Sequence, residues 1–308
     1  MSEATPHRIE AAAERAAIDG GAIDAALRRM ARQPQPPWLH AEVARRMAQR
    51  LGIVRLRPAT VLEWWGHTGA SGGLLDAACP RARRIVVEPS DELVRRSRRA
   101  AKASWWRLGR RARATEVRRE DPAPGWAQLL WANMMLHAVT DPPALLARWQ
   151  QLLAADGFLM FSSLGPGTLH ELRELYRRLG WPPPAPEFID MHDLGDMLVR
   201  AGFADPVMDQ ETLTLTWDGP QALLAELRSL GGNASPMRWP GLRTPRWRDR
   251  LYVELSSLAG ADGRLHLSFE IVYGHAFKAA PRAPLKGETR VELEDMRAMV
   301  RAARSPGR

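Results

Sequence analysis

Glu63 and Glu88 each close a short apolar run, Val61-Leu62 before the first and Ile85-Val86-Val87 before the second, and Gly66, Gly69, Gly72 and Gly73 follow the first acid. A strand ending in an acid, then a glycine-rich turn, then a helix is how open α/β sheets hold nucleotides. Glycine lets the backbone approach the ligand, and the acid accepts hydrogen bonds. Glu88, closing the next run, stands where ribose hydroxyls are taken. Taken alone, the pair fits a bare strand-turn-helix unit equally well. Gly69-Ala70-Ser71-Gly72-Gly73 also matches the spacing of a hydrolase nucleophile elbow, but an elbow follows its strand directly, and no oxyanion motif precedes this one. The eight histidines show no pair at metal-ligand spacing with a carboxylate between, so no metal site is expected. No residue is assigned as a catalytic base or nucleophile.

The elements that must position these groups alternate. Runs at 59–65, 84–88, 128–131 and 158–162 read as strands, separated by helical text at 74–78, 91–102 and 143–153. Short links between them imply parallel βαβ units with right-handed crossovers. Leu39, Val43, Met47 and Leu51 fall on one helical stripe ahead of the first strand. Beyond Leu164 the text changes to helices at 168–179 and 191–201, an alternating run at 211–217, helices at 220–230 and 246–259, and a long alternating run at 264–278. The organisation expected is a loosely attached, flexible N-terminal arm over 1–37, one domain over 38–278, and a charged C-terminal tail over 279–308.

The formal net charge of +9 is almost all arginine, because lysine occurs only at Lys102, Lys278 and Lys286. Eleven cations between Arg95 and Arg119 face Glu116 alone, and Trp105 and Trp106 interleave with them. An acidic protein could dock there. Single-stranded nucleic acid is a weaker candidate, and a solvated helix face is the simplest reading. One cysteine, Cys79, fits a reducing compartment. Residues 1–21 do not read as a signal peptide and no stretch approaches a membrane span, so a cytoplasmic protein without membrane attachment is expected.

The pattern becomes specific at Trp131-Ala132-Asn133-Met134-Met135-Leu136-His137, at Phe161-Ser162-Ser163-Leu164-Gly165-Pro166-Gly167-Thr168-Leu169-His170-Glu171-Leu172-Arg173, at Leu227-Arg228-Ser229-Leu230-Gly231-Gly232 and at Leu267-Ser268-Phe269-Glu270. Over roughly residues 38–278, the motifs and their order resemble the S-adenosylmethionine-dependent malonyl-carrier-protein methyltransferases of biotin synthesis. The resemblance implies an α/β, Rossmann-like class I methyltransferase fold. Its mostly parallel seven-stranded sheet would carry helices on both faces and a helical insertion after the fifth strand, at about 165–260.

It also implies S-adenosyl-L-methionine as cofactor, with Glu63, Gly66, Gly69, Glu88, Asp121 and Asn133 as its contacts. His137, Thr168 and Arg173 are implied on the substrate side, and an acidic acyl carrier protein as partner. Arg173 is the expected cation for a substrate carboxylate. A related branch, the complex I assembly factors that modify a protein arginine, is similar through Leu39-His40-Ala41-Glu42 and Asp193-Leu194-Gly195-Asp196.

The chain departs from the family in the first turn. Trp65 and His67 stand where the first two glycines belong, and a side chain there restricts the φ > 0 conformations that glycine permits. Either the loop is re-registered onto Gly69-Ala70-Ser71-Gly72-Gly73, or the cofactor is gone and the chain is a catalytically silent, partner-binding relative.

Overall fold

The computed structural model describes residues 10–14, 16–54, 57–108, 115–119 and 127–279, together with 294 and 297. Asp121, the C-terminal tail from 280 apart from those two positions, and the centre of the arginine-rich stretch lie outside them. So do the side chains of 103–108.

Seven strands form one sheet in the order β3-β2-β1-β4-β5-β7-β6. They are β1 (Thr60–Trp64), β2 (Arg83–Glu88), β3 (Glu116–Arg119), β4 (Ala127–Ala132), β5 (Leu153–Leu164), β6 (Phe203–Trp217) and β7 (Leu265–Lys278). The first five are mutually parallel, and β7 runs antiparallel between β5 and β6. This is the doubly wound, Rossmann-like α/β arrangement expected from the sequence. β3 is absent from the sequence reading because Glu116-Val117-Arg118-Arg119 offers a single apolar residue. As an edge strand it needs only Val117 turned inward, against Val86 and Val94.

The helices are α1 (Gly20–Arg32), α2 (Trp38–Leu51), α3 (Gly66–Gly69), α4 (Gly72–Ala78), α5 (Asp91–Leu108), α6 (Pro142–Leu152), α7 (His170–Arg178), α8 (Met191–Arg200), α9 (Pro220–Ser229) and α10 (Pro245–Ser256). Four begin on side-chain caps of the expected kind, Asp19, Asp141, Asp190 and Thr244 accepting backbone N–H bonds from Ala22, Ala144, His192 and Trp247. Successive strand residues point to opposite faces, so each strand feeds two cores. Leu62, Trp64, Leu130, Ala132, Leu159 and Phe161 face α1, α5, α6 and α8. Val61, Leu129, Trp131, Phe158 and Met160 face α2, α4, α7, α9 and α10.

Residues 20–32, expected in a loosely attached arm, fold as α1 and bury Ala26, Leu27, Met30 and Ala31. Ala31 and Leu27 join Trp65 and Leu93 in one apolar cluster, so α1 lies across the carboxyl end of the sheet. Ala-rich text with two glycines carried little of this signal, because the face that α1 covers is assembled from distant parts of the chain.

Candidate active site

The crevice outside the carboxyl ends of β1, β2 and β4 is built around the two acids. Glu63 and Glu88 are buried, at 1% and 0% exposure. Arg84 on β2 donates from Nη1 to Glu63 Oε2 at 2.6 Å and from Nε to Asp76 Oδ1 at 3.0 Å. Burial raises the Glu63 carboxyl from its usual range, while the Arg84 guanidinium pulls it the other way. Glu63 Oε1 has no hydrogen-bond partner among the described residues. Glu88 Oε1 accepts the backbone N–H of His67 at 2.7 Å and the Ser97 hydroxyl at 2.6 Å.

Between the acids, Trp65 turns the chain in the left-handed region at φ 53° and leads directly into α3. A residue with a side chain is strained there, and glycine is the usual occupant. The Trp65 indole is nevertheless buried, in the cluster completed by α1. Gly66 follows where a Cβ would come within 2.7 Å of Val86 and 2.9 Å of the Glu63 carboxyl, so backbone packs directly onto the acid. His67 buries an imidazole whose Nε2 finds no partner among the described residues, and burial lowers its pKa.

Asn133, one residue past β4, ties the crevice together. Its Nδ2 donates to the carbonyls of His40 at 2.8 Å and Gly69 at 2.7 Å, and its Oδ1 accepts from the Ser162 hydroxyl at 2.7 Å. The Met134 N–H returns a bond to that same hydroxyl at 3.0 Å. One amide side chain thereby joins α2, the glycine loop, β4 and β5. Such a fully paired buried network fixes geometry, because each member would be costly to leave alone.

Beside this knot opens a cavity of about 220 Å³ with mostly apolar walls. It is lined by His40, Trp65, Thr68, Met134 and His137, by Leu164, Thr168, Leu172, Tyr176 and Phe188, and by residues of α1 and of 224–234. Two neutral imidazoles face it. His40 Nδ1 lies 2.8 Å from the Thr68 carbonyl, which assigns the proton to Nδ1 and leaves Nε2 an acceptor. His137 Nδ1 accepts the Leu164 N–H at 3.3 Å, which assigns its proton to Nε2 and makes that atom a donor. Burial holds His40 down at about 4, and burial together with the neighbouring His40 holds His137 at about 3, so both stay uncharged at neutral pH.

The expected site residues divide accordingly. His137 and Thr168 line the cavity, whereas Glu63, Gly66, Gly69, Glu88 and Asn133 stand behind its wall. Thr168 spends its hydroxyl on β7, donating to the Glu270 carbonyl and accepting the Glu270 N–H. Arg173 turns its guanidinium to the carbonyls of Thr168, Ala185 and Pro186 and stacks over Phe188, clasping the 181–188 loop beside the cavity. Gly165 and Gly167, from the most specific sequence match, admit the Glu270 side chain, since a Cβ on either would collide with its carboxylate. Residues the sequence reading did not assign to the site are His40, Thr68, Met134 and Tyr176, of which His40 and Met134 fell within matched motifs and Thr68 and Tyr176 within loop and helical text.

The acids fit the cofactor that the resemblance implies: both end adjacent strands, both are buried, and Glu63 keeps one carboxylate oxygen unpartnered. The loop in this conformation does not fit it. Gly66 packs against the Glu63 carboxyl, and the His67 N–H takes Glu88 Oε1.

The sheet order, the strand-end acids and the crevice beside β4 define a class I methyltransferase fold. The B. subtilis YcgJ protein shares it, with a TM-score of 0.54 at 12% identity over 77% of this chain and 100% of that one. A methyltransferase-domain family model matches residues 39–205. The malonyl-[acyl-carrier protein] O-methyltransferase of Laribacter hongkongensis is 38% identical over 250 residues, covering 79% of this chain and 84% of the relative. That of Gallionella capsiferriformans is 36% identical over 255 residues, covering 81% and 87%. The chain belongs to the malonyl-[acyl-carrier protein] O-methyltransferase family. Among the described residues no helix is long and apolar enough to cross a membrane, and no group of His, Cys, Asp and Glu could hold a metal ion.

Proposed function

We propose that the chain methylates the free carboxyl of a malonyl group held as a thioester on an acidic acyl carrier protein, in the cytoplasm, with S-adenosylmethionine as donor. The observation that carries this reading is the cavity itself. Its apolar walls suit a short acyl thioester, and its lining includes the neutral His137, whose Nε2–H is a donor that binds a carboxylate without neutralising it.

When bound, the cofactor supplies an electrophilic methyl group. Glu63 and Glu88, with Gly66, Gly69, Asn133 and Asp121, are the groups that would hold it, after residues 65–68 move off Glu88. The chain's own task is alignment. A carboxylate is already ionised near neutral pH, so no general base is required, and rate comes from orientation and from keeping water out. Tyr176, Leu172, Phe188 and the loop clasped by Arg173 form the water-excluding wall. His137 and Thr168 are the proposed substrate-side residues, with Arg173 positioning the loop that backs them.

Complementation of a biotin auxotroph lacking the malonyl-methylating step tests the activity, and calorimetry with S-adenosylmethionine tests the cofactor. Growth together with binding supports the reading. Binding without growth moves the acceptor elsewhere, to a protein arginine or another carboxylate. Absence of binding at millimolar cofactor supports the second reading, a catalytically silent fold kept for partner binding, which the closure of His67 onto Glu88 favours.

A further inference from the structure

The geometry points to a docking face for an acidic carrier protein on the 237–250 segment and the adjoining end of α9, and not on the arginine-rich stretch of α5. This inference rests on the carrier-protein reading above.

Residues 238–250 contain five arginines and one acid, Asp249. The segment is open: Leu242 is 99% exposed, Met237 72% and Trp239 48%. At its centre the Arg243 guanidinium lies between two indoles, 4.3 Å from the Trp239 ring and 4.4 Å from that of Trp247. Two aromatic faces hold the cation and fix its orientation, but they leave its N–H edges unused. Neither Arg243 nor Arg246 forms a hydrogen bond or ion pair with any described residue. A guanidinium already immobilised loses little further entropy on meeting a carboxylate, which favours it as an anchor for an acidic helix. Exposed apolar groups beside it give that helix something to bury against.

The same aromatic series leads to the cavity. Trp247 lies 5.1 Å from Trp181, Trp181 lies 5.2 Å from Tyr176 in an edge-to-face contact, and Tyr176 lines the cavity. Arg228 on α9, an exposed residue that lines the cavity, also has no ion-pair partner among the described residues. A carrier seated on Arg243 and Arg246 would therefore bring its tethered acyl group to the side of the cavity that Arg228 and Tyr176 line. On α5 and β3, Arg95 pairs with Glu92 at 3.2 Å, Arg119 with Asp91 at 3.0 Å and Arg98 donates to the Val117 carbonyl, much as Arg238, Arg248 and Arg250 pair with Asp19, Asp249 and Glu254. The α5 side differs in that no described aromatic ring holds Arg95, Arg96, Arg98, Arg99 or Lys102 as Trp239 and Trp247 hold Arg243.

The test measures affinity of the full chain for an immobilised holo acyl carrier protein and, separately, for the free thioester S-malonyl N-acetylcysteamine. The variants are Arg243→Glu with Arg246→Glu, Trp239→Ala, and Arg95→Glu with Arg99→Glu. We expect the Arg243/Arg246 pair to weaken carrier binding at least tenfold and Trp239→Ala to weaken it several-fold. Free-thioester binding should stay within twofold, and the α5 pair should behave as the parent. Loss of carrier affinity in the α5 pair with none in the Arg243/Arg246 pair overturns the assignment. So does an equal loss for carrier and free thioester, which would mean that the face supports the pocket instead. A parent that binds the free thioester but no carrier overturns the carrier reading and the dock with it, whereas a parent that binds carrier regardless of the substitutions overturns the dock alone.

Discussion

The backbone N–H of His67 donates to Glu88 Oε1 at 2.7 Å, so the strand-end acid that would hold a ribose is engaged by the loop that would cradle the rest of the nucleotide. The bond exists because Trp65 enters the left-handed region and starts α3 one residue later, bringing the first N–H groups of that turn onto β2. Opening the crevice means breaking this contact and withdrawing the indole from beneath α1.

Replacing Trp65 and His67 with glycine should therefore raise affinity for S-adenosylmethionine at least tenfold, read by calorimetry. The same change should lower the melting temperature: deleting a buried indole costs about 3–5 kcal/mol, and relief of the left-handed strain returns only about 1–2 kcal/mol. Weaker binding in the double variant, from a parent that already binds, would show that the loop works in its present register.

Arg84 sets the state of Glu63. Substituting Arg84 by Met leaves a buried carboxylate without its partner, a loss of about 3–5 kcal/mol at neutral pH. With its folded pKa raised further above the unfolded value, Glu63 should regain stability as the pH falls and the carboxyl protonates. Urea midpoints between pH 7.5 and 5 check this. The double variant with Glu63→Gln should be more stable than Arg84→Met alone at neutral pH and should show no gain in midpoint as the pH falls, keeping only the decline that the buried histidines impose.

His40 is buried neutral, with its pKa lowered from 6.5 to about 4. Its unfolded form binds a proton below pH 6.5 and its folded form does not until about 4. Stability is therefore full above pH 6.5 and declines as the pH falls toward 4, by about 3 kcal/mol at roughly 1.4 kcal/mol per unit. His137 adds to the slope in the same direction. A His40→Gln variant should show a shallower decline of its urea midpoint over that interval, and an unchanged slope would remove His40 from the account.

His137→Phe keeps a ring against Phe188, 5.9 Å away in the parent, and removes the N–H that faces the cavity. A hydrogen bond to a charged group is worth about 1.5–3 kcal/mol, so affinity for the free malonyl thioester should fall roughly 10–100-fold. Affinity for its methyl ester should change much less. Equal losses for both would assign His137 to shape alone.

The sequence by itself determined the alternation of strands and helices and the position of its strand-end acids. Strand periodicity, short links and strand-end acids are local signals, and Glu63 and Glu88 fall at the strand ends where those signals put them, whereas Asn133 was named by the family resemblance. It also marked Trp65 and His67 as incompatible with an open glycine turn, since the loss of glycine is legible without coordinates. Whether that turn is closed was decided by tertiary structure, because the His67–Glu88 bond joins the turn after β1 to the end of β2 and the cover over Trp65 comes from α1. Arg173 shows the same limit: its charge was readable, but three carbonyls from two loops had to converge before its guanidinium was spent on structure. The placing of His40 and His137 on one cavity, and the contacts among Tyr176, Trp181 and Trp247, likewise depend on residues distant in the chain. Such contacts leave no periodicity in a single sequence, so only the packed fold reveals them.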